Sequence, residues 1–122
     1  MVCSTPTYAL RLAEVAEQED VALAASRVRV TIHGGEPGAG LPATRERIEA
    51  AWGATCYDHA GATEVGPWSF ECAKRSGLHL NEDAFVFEVI DPQSGRSSDE
   101  GELVGTIQGG PGESPVYPKH QI

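Results

Sequence analysis

Val28-Arg29-Val30-Thr31-Ile32-His33-Gly34-Gly35-Glu36-Pro37-Gly38 is an alternating stretch that runs without a break into a glycine–proline turn. Val28, Val30 and Ile32 fall on one side, Arg27, Arg29 and Thr31 on the other, which is the period of two of a β-strand. The glycines and Pro37 that follow cannot continue a regular element, so the strand ends in a loop. Pro42 then opens a helix in which Thr44, Ile48, Ala51 and Trp52 share a face, Arg45 and Glu49 stand at i,i+4, and Gly53 is the stop. Ala54 to Asp58 reads as a second short strand and His59 to Gly66 as a second loop. Strand, helix and strand with short links form a βαβ unit, so the two strands are expected to be parallel and joined right-handedly. Both glycine-bearing loops then leave the carboxyl ends of parallel strands on one edge, where open α/β sheets commonly bind ligands.

Upstream, Thr5-Pro6 has the form of an N-cap followed by proline at the first helical position, and Ala9, Leu12, Ala13 and Ala16 recur at helical spacing. A helix is expected from about 6 to 18, with residues 20 to 26 as a link. Downstream, Trp68 to Cys72, Leu78 to Leu80, Ala84 to Asp91 and Glu102 to Ile107 are apolar or alternating runs divided by turn residues. Asp91-Pro92-Gln93-Ser94-Gly95 predicts an antiparallel hairpin with a long tip. The fold class expected is α/β, a βαβ parallel-sheet unit followed by an antiparallel hairpin region. One domain over residues 1–107 and a poorly ordered glycine–proline tail over 108–122 complete the expectation.

The chain has 122 residues, an apolar fraction of 40% and a formal net charge of −9, values that suit a small packed domain. Its nine lysines and arginines are scattered. Nucleic acid and anionic membrane both demand clustered positive charge, so neither is expected as the main partner. No apolar run approaches the roughly 20 residues needed to cross a bilayer. Met1 to Thr7 lacks the basic and apolar regions of a secretory signal. Three cysteines, Cys3, Cys56 and Cys72, are an odd and sparse set, which reads as reduced thiols in a cytoplasm.

Alone, Gly34-Gly35-Glu36-Pro37 is either a bare turn or a place where backbone approaches a flat ligand closely, offering amides and carbonyls to an adenine edge. The second loop, Tyr57 to Gly66, carries Thr63, whose hydroxyl suits a phosphate oxygen. Beside it Glu64 offers a hard carboxylate oxygen suited to magnesium, which usually arrives with substrate phosphates. Taken by themselves these two are equally a plain surface pair.

In register, Gly34-Gly35-Glu36-Pro37, Tyr57-Asp58-x-x-Gly61-x-Thr63-Glu64, Glu71-Cys72, Gly77-Leu78-His79-x-x-Glu82-Asp83, Glu88-Val89-Ile90-Asp91-Pro92-x-x-Gly95 and Gly101-Glu102-Leu103-Val104 resemble the phenylacetate–CoA ligase group of adenylate-forming enzymes. The likeness covers roughly residues 4 to 107. It implies a fragment of the large N-terminal domain of such an enzyme, in which an aryl or acyl carboxylate is joined to AMP with loss of pyrophosphate and then passed to coenzyme A. It further implies that Gly35, Glu36 and Pro37 line the adenine pocket and that Asp58, His59 and Gly61 shape the nucleotide loop. Thr63 would meet the adenylate phosphate and Glu64 would help hold magnesium. ATP or AMP, magnesium and CoA follow as cofactors and co-substrate. Ala60 departs from the pattern, since many members carry an adenine-stacking aromatic there.

Some of these ligases bind structural zinc through a pair like Cys72 and His79 joined by further cysteines. A closed site needs four ligands. With no Cys-x-Cys following, the pair reads first as a half-buried thiol and a strand-end imidazole. The upstream phosphate loop, the downstream ribose-binding aspartate and the lysine-bearing C-terminal domain of the family have no counterpart in the sequence. The expectation is therefore a nucleotide-contacting part that is not competent alone. A non-catalytic interaction module or a zinc-stabilised domain are the alternatives. Sheet edges left without neighbours would favour weak stability or self-association.

Overall fold

A computed structural model describes residues 1–107 and the backbone of a two-residue strand at His120–Gln121. The expected disordered tail otherwise lies outside the described residues. Five strands form one sheet in the order β1-β2-β3-β4-β5: Val2–Ser4, Val30–His33, Thr55–Ala62, Gly66–Glu71 and Leu78–Leu80. A second sheet joins β6 (Phe85–Ile90), β7 (Glu102–Ile107) and β8 (His120–Gln121), antiparallel throughout. The β6–β7 hairpin carries the long polar tip that its turn residues foretell.

Helix α1 spans Pro6–Gln18, and the Thr5 hydroxyl accepts from the Tyr8 amide at 3.3 Å, which is the expected N-cap. A short 3-10 turn, Leu23–Ala25, follows. Helix α2 spans Pro42–Trp52 and stops at Gly53, whose φ of +59° lies in the left-handed region that glycine adopts without a Cβ penalty.

Strand β1 is an addition to the sequence reading. It pairs in parallel with β2, as β2 does with β3, so two βαβ units share β2. Right-handed crossovers place α1 and α2 on the same face of the three parallel strands. Ala9, Ala39, Ile48, Trp52, Ala54 and Cys56 form the core there, and the Trp52 indole N–H donates to the Ala9 carbonyl at 3.2 Å. Thr31 and His33 of β2 are fully buried, while Val30 and Ile32, which alternate with them, are only partly so. The apolar side of β2 is therefore not the side packed under the helices.

Strand β3 is the other correction. The second loop expected over His59–Gly66 is in fact strand for half its length. Residues 55–58 pair in parallel with β2, and residues 59–62 pair antiparallel with β4, with a bulge between Ala60 and Gly61. Only Thr63, Glu64 and Val65 form the turn, closed by Gly66 at φ +78°. A short loop ending in a left-handed glycine is a common hairpin connection.

Candidate functional site

Strand β3 outruns β2 at the carboxyl edge, so the chain leaving β2 must bend beside β3. Gly34 packs there against His59: a Cβ built on it would lie 2.7 Å from the His59 carbonyl oxygen and 2.9 Å from Nδ1 of its ring. Farther along the same loop, a Cβ on Gly40 would lie 2.7 Å from Oδ2 of Asp58. Glycine at these two positions lets backbone and acidic side chain meet. The β2–α2 loop and the Asp58–His59 segment of β3 thus form one rim.

The predicted residues occupy it unevenly. Gly35 is exposed, with φ +83°, and its nearest prospective neighbour is the Thr5 methyl. The Glu36 carboxylate turns back onto α1 and accepts from the Thr7 amide at 2.6 Å. Hydrogen bonds from the Thr7 hydroxyl and then its amide hold Glu36 below the usual carboxylate range. An acid at a helix N-terminus is also favoured by the helix dipole. Pro37 is exposed beside it. Thr63 and Glu64 are exposed at the hairpin tip, four and five residues beyond His59, so roughly 13 Å farther along the direction of β3 at strand rise. Gly61 belongs to the hairpin itself, since a Cβ there would press within 3.0 Å of Gly66 and Pro67. Gly34 and Gly40, which flank residues 35–37, therefore sit against His59 and Asp58, while Gly35 and Glu36 face Thr5 and Thr7 at the start of α1 and 63–64 stand at the hairpin tip.

Arg45 and Glu71 were not foreseen in their actual roles. The expected Arg45–Glu49 pair does not form. Nη2 of Arg45 instead donates to both carboxylate oxygens of Glu71 at 2.8 Å, and its Nε donates to the Ala39 carbonyl at 2.7 Å. Glu71 also accepts from the Asp58 amide at 3.1 Å. Glu49 is engaged with Arg75 and with the Cys56 amide. Helical spacing gave the pair 45/49, whereas the sheet brought a strand acid from 26 residues away closer to Arg45.

Burial, then the nearby Glu71 charge, pushes the Asp58 carboxyl above its usual range. A perturbed carboxyl at a ligand-binding edge is a feature of functional sites. His33, fully buried, hydrogen-bonds through Nδ1 with the Ser4 carbonyl at 3.2 Å and approaches its hydroxyl at 3.3 Å, while Nε2 has no partner among the described residues. Burial pushes its pKa below 6.5, against the opposing pull of the Ser4 bond and Asp58. The folded state therefore favours neutral His33 more than the unfolded state does. That contribution to stability is complete above the unfolded value and is lost as pH falls from there through the folded value. Urea midpoints should drop on acidification below pH 6.5. Substituting His33→Asn should flatten that slope; an unchanged slope would mean that another group carries it.

Cys72 and His79 are side by side. The His79 imidazole, then the Lys74 amide, holds the Cys72 thiol below its ordinary pKa. His79 also stacks against Phe70, with ring centroids 5.8 Å apart. Among the described residues no group of three or more His, Cys, Asp or Glu is placed to hold a metal ion. Within those residues the pair supplies two of the four ligands that a structural zinc requires.

No protein-family model matches the sequence. The phenylacetate–coenzyme A ligase of Thermus thermophilus is 32% identical over 106 residues, covering 84% of this chain and 23% of that protein. The chain is phenylacetate–coenzyme A ligase-like. The ligase of the same name from Aromatoleum evansii is 34% identical over 112 residues, covering 87% of this ligase-like chain and 25% of its own length. The crystal structure of 2-hydroxyisobutyryl-CoA ligase in an open conformation, in complex with 2-HIB-AMP and CoA, superposes with a TM-score of 0.79 at 32% identity. That match covers 86% of this chain and 26% of the ligase. The fold is thus that of part of the N-terminal domain of CoA ligases, and the chain spans about a quarter of the length of the relatives it matches. No helix among the described residues is long and apolar enough to cross a membrane.

Proposed function

We propose that this ligase-like chain is the nucleotide-contacting part of an ATP-dependent acyl- or aryl-CoA ligase, which activates a carboxylate as its adenylate and then forms the CoA thioester. The observation that carries the reading is the approach of Gly34 and Gly40 to His59 and Asp58, which builds one rim from two distant segments. It is supported by the 2-HIB-AMP and CoA bound to the structurally similar ligase.

In this reading the exposed backbone of Gly35 and Pro37 borders the adenine, while the Glu36 side chain, held by Thr7, fixes the loop rather than touching the base. Asp58 and His59 form the floor of the rim, with Gly61 allowing the hairpin to close. The Thr63 hydroxyl donates to the phosphate at the outer end. Glu64 is a lone exposed carboxylate, which fits magnesium, an ion that commonly takes one or two protein carboxylates and completes its shell with phosphates and water. When bound, magnesium would offset the charge on the phosphates during attack by the carboxylate. Thr63 then holds the phosphate in line while pyrophosphate leaves. The unpaired cysteines are consistent with a cytoplasmic setting.

Isothermal titration with AMP and with magnesium ATP tests the reading on the intact chain. Thr63→Ala should weaken AMP about tenfold or more, the scale of a hydrogen bond to a charged group. Glu64→Ala should weaken magnesium ATP more than AMP. Both residues project from a hairpin tip, so melting temperatures should be unchanged. Absence of nucleotide binding in the wild-type chain, together with concentration-dependent sedimentation, would favour the second reading of a non-catalytic interaction module. That reading has its own observation: among the described residues, helices cover one face of the parallel strands, whereas parallel sheets are normally covered on both.

A further inference from the structure

The ion pair between Arg45 and Glu71 touches each of the segments that make the rim. Arg45 sits on α2 and its Nε holds the Ala39 carbonyl, so it anchors the far arm of the β2–α2 loop. Glu71 ends β4, and one of its oxygens holds the amide of Asp58, the last residue of β3 paired with β2. Asp58 is where β3 changes partner, with parallel pairing behind it and antiparallel pairing ahead. At such a switch the ladder gives the backbone no continuous register. The side chains are 14% and 4% exposed, so water competes little for their hydrogen bonds.

We propose that Arg45 and Glu71 are positioning residues for the rim, a clamp that sets the spacing between the β2–α2 loop and the Asp58–His59 segment and so the shape offered to a nucleotide. The inference rests on the functional reading above and adds two residues to it. Neither side chain needs to touch the ligand. Arg45 acts through the Ala39 carbonyl and Glu71 through the Asp58 amide. A merely structural pair would be replaceable by well-packed apolar side chains, because a buried ion pair is often matched in stability by hydrophobic residues of similar volume. A positioning clamp is not replaceable in that way, since methionine offers the Asp58 amide no strong acceptor and the Ala39 carbonyl no donor.

The test is a double-mutant cycle on the full chain, with Arg45→Met, Glu71→Met and the double variant, read in three ways. The first is thermal stability, the second amide hydrogen exchange at Asp58, and the third AMP affinity. The double variant should regain much of the stability lost by either single variant. Its Asp58 amide should still exchange about tenfold or more faster than in the wild type, the scale expected for a lost hydrogen bond to a charged group. AMP affinity should stay reduced by a similar factor. Wild-type exchange at Asp58 in the double variant would overturn the clamp. A wild-type chain that binds no AMP would instead sink the functional reading, and the exchange measurement would still decide whether Glu71 holds the backbone. Normal exchange loss with unchanged AMP affinity would also overturn the proposal, by showing that the held geometry does not matter to the ligand.

Discussion

Arg45→Met on its own is expected to destabilise the chain by about 3–5 kcal/mol, the cost of leaving one member of a buried ion pair uncompensated. Glu71 is 4% exposed at its side chain, and both of its oxygens accept from Arg45. Removing the guanidinium leaves that carboxylate buried near Asp58, whose own carboxyl is already pushed up by burial and by Glu71. The chain can respond by protonating one acid or by opening the β4 end to water, and both cost folding free energy. Small domains hold only about 5–15 kcal/mol in total, so the loss is a large share. At roughly 4 °C per kcal/mol for a chain of this size, the midpoint should fall by about 12–20 °C. Circular dichroism melts of wild type and variant decide it. A fall of under about 1 kcal/mol, the ordinary worth of an exposed pair, would mean that solvent reaches Glu71 freely.

Gly34→Ala should be the other severe substitution, at about 3 kcal/mol, near the upper end of what overpacking costs. The prospective methyl would meet the His59 carbonyl oxygen at 2.7 Å and the ring at 2.7 and 2.9 Å. The ring can rotate away. The carbonyl cannot, because His59 is held in register against Phe70 on one side and follows Asp58, held against His33, on the other. Adding His59→Ala should therefore restore only part of the loss. Gly35→Ala is a useful control. It has open space, with its nearest neighbour at 3.6 Å, and suffers only from a φ of +83°. Its cost should stay near 1 kcal/mol, that of a left-handed conformation for a residue with a Cβ. Equal losses at the two glycines would show that backbone strain, not contact with β3, governs the loop.

Much of the local structure was legible because its causes are local. Thr5-Pro6 and Gly53 bound their helices through capping geometry, the 28–33 alternation gave β2, and Asp91 to Gly95 gave the hairpin turn. The motif register also carried the ligase likeness that the relatives bear out. Strand β1 escaped because three residues are too few to establish a period, and its strand state comes from the parallel edge of β2. The outer half of β3 escaped for a related reason. His59 to Ala62 is short of large apolar side chains, as loops are, and becomes strand only because β4 folds back to pair with it.

The sequence by itself determined which segments turn, which form helices, and which residues could address a phosphate or a cation, since these follow from side-chain chemistry and neighbours a few positions away. Tertiary structure alone decided that Arg45 meets Glu71 instead of Glu49, that His33 is sealed from water, and that Gly34 and Gly40 let Asp58 and His59 approach the loop. Those outcomes depend on through-space competition among partners. A buried charge binds the nearest group that can replace its lost hydration, and distance along the chain does not set which group that is.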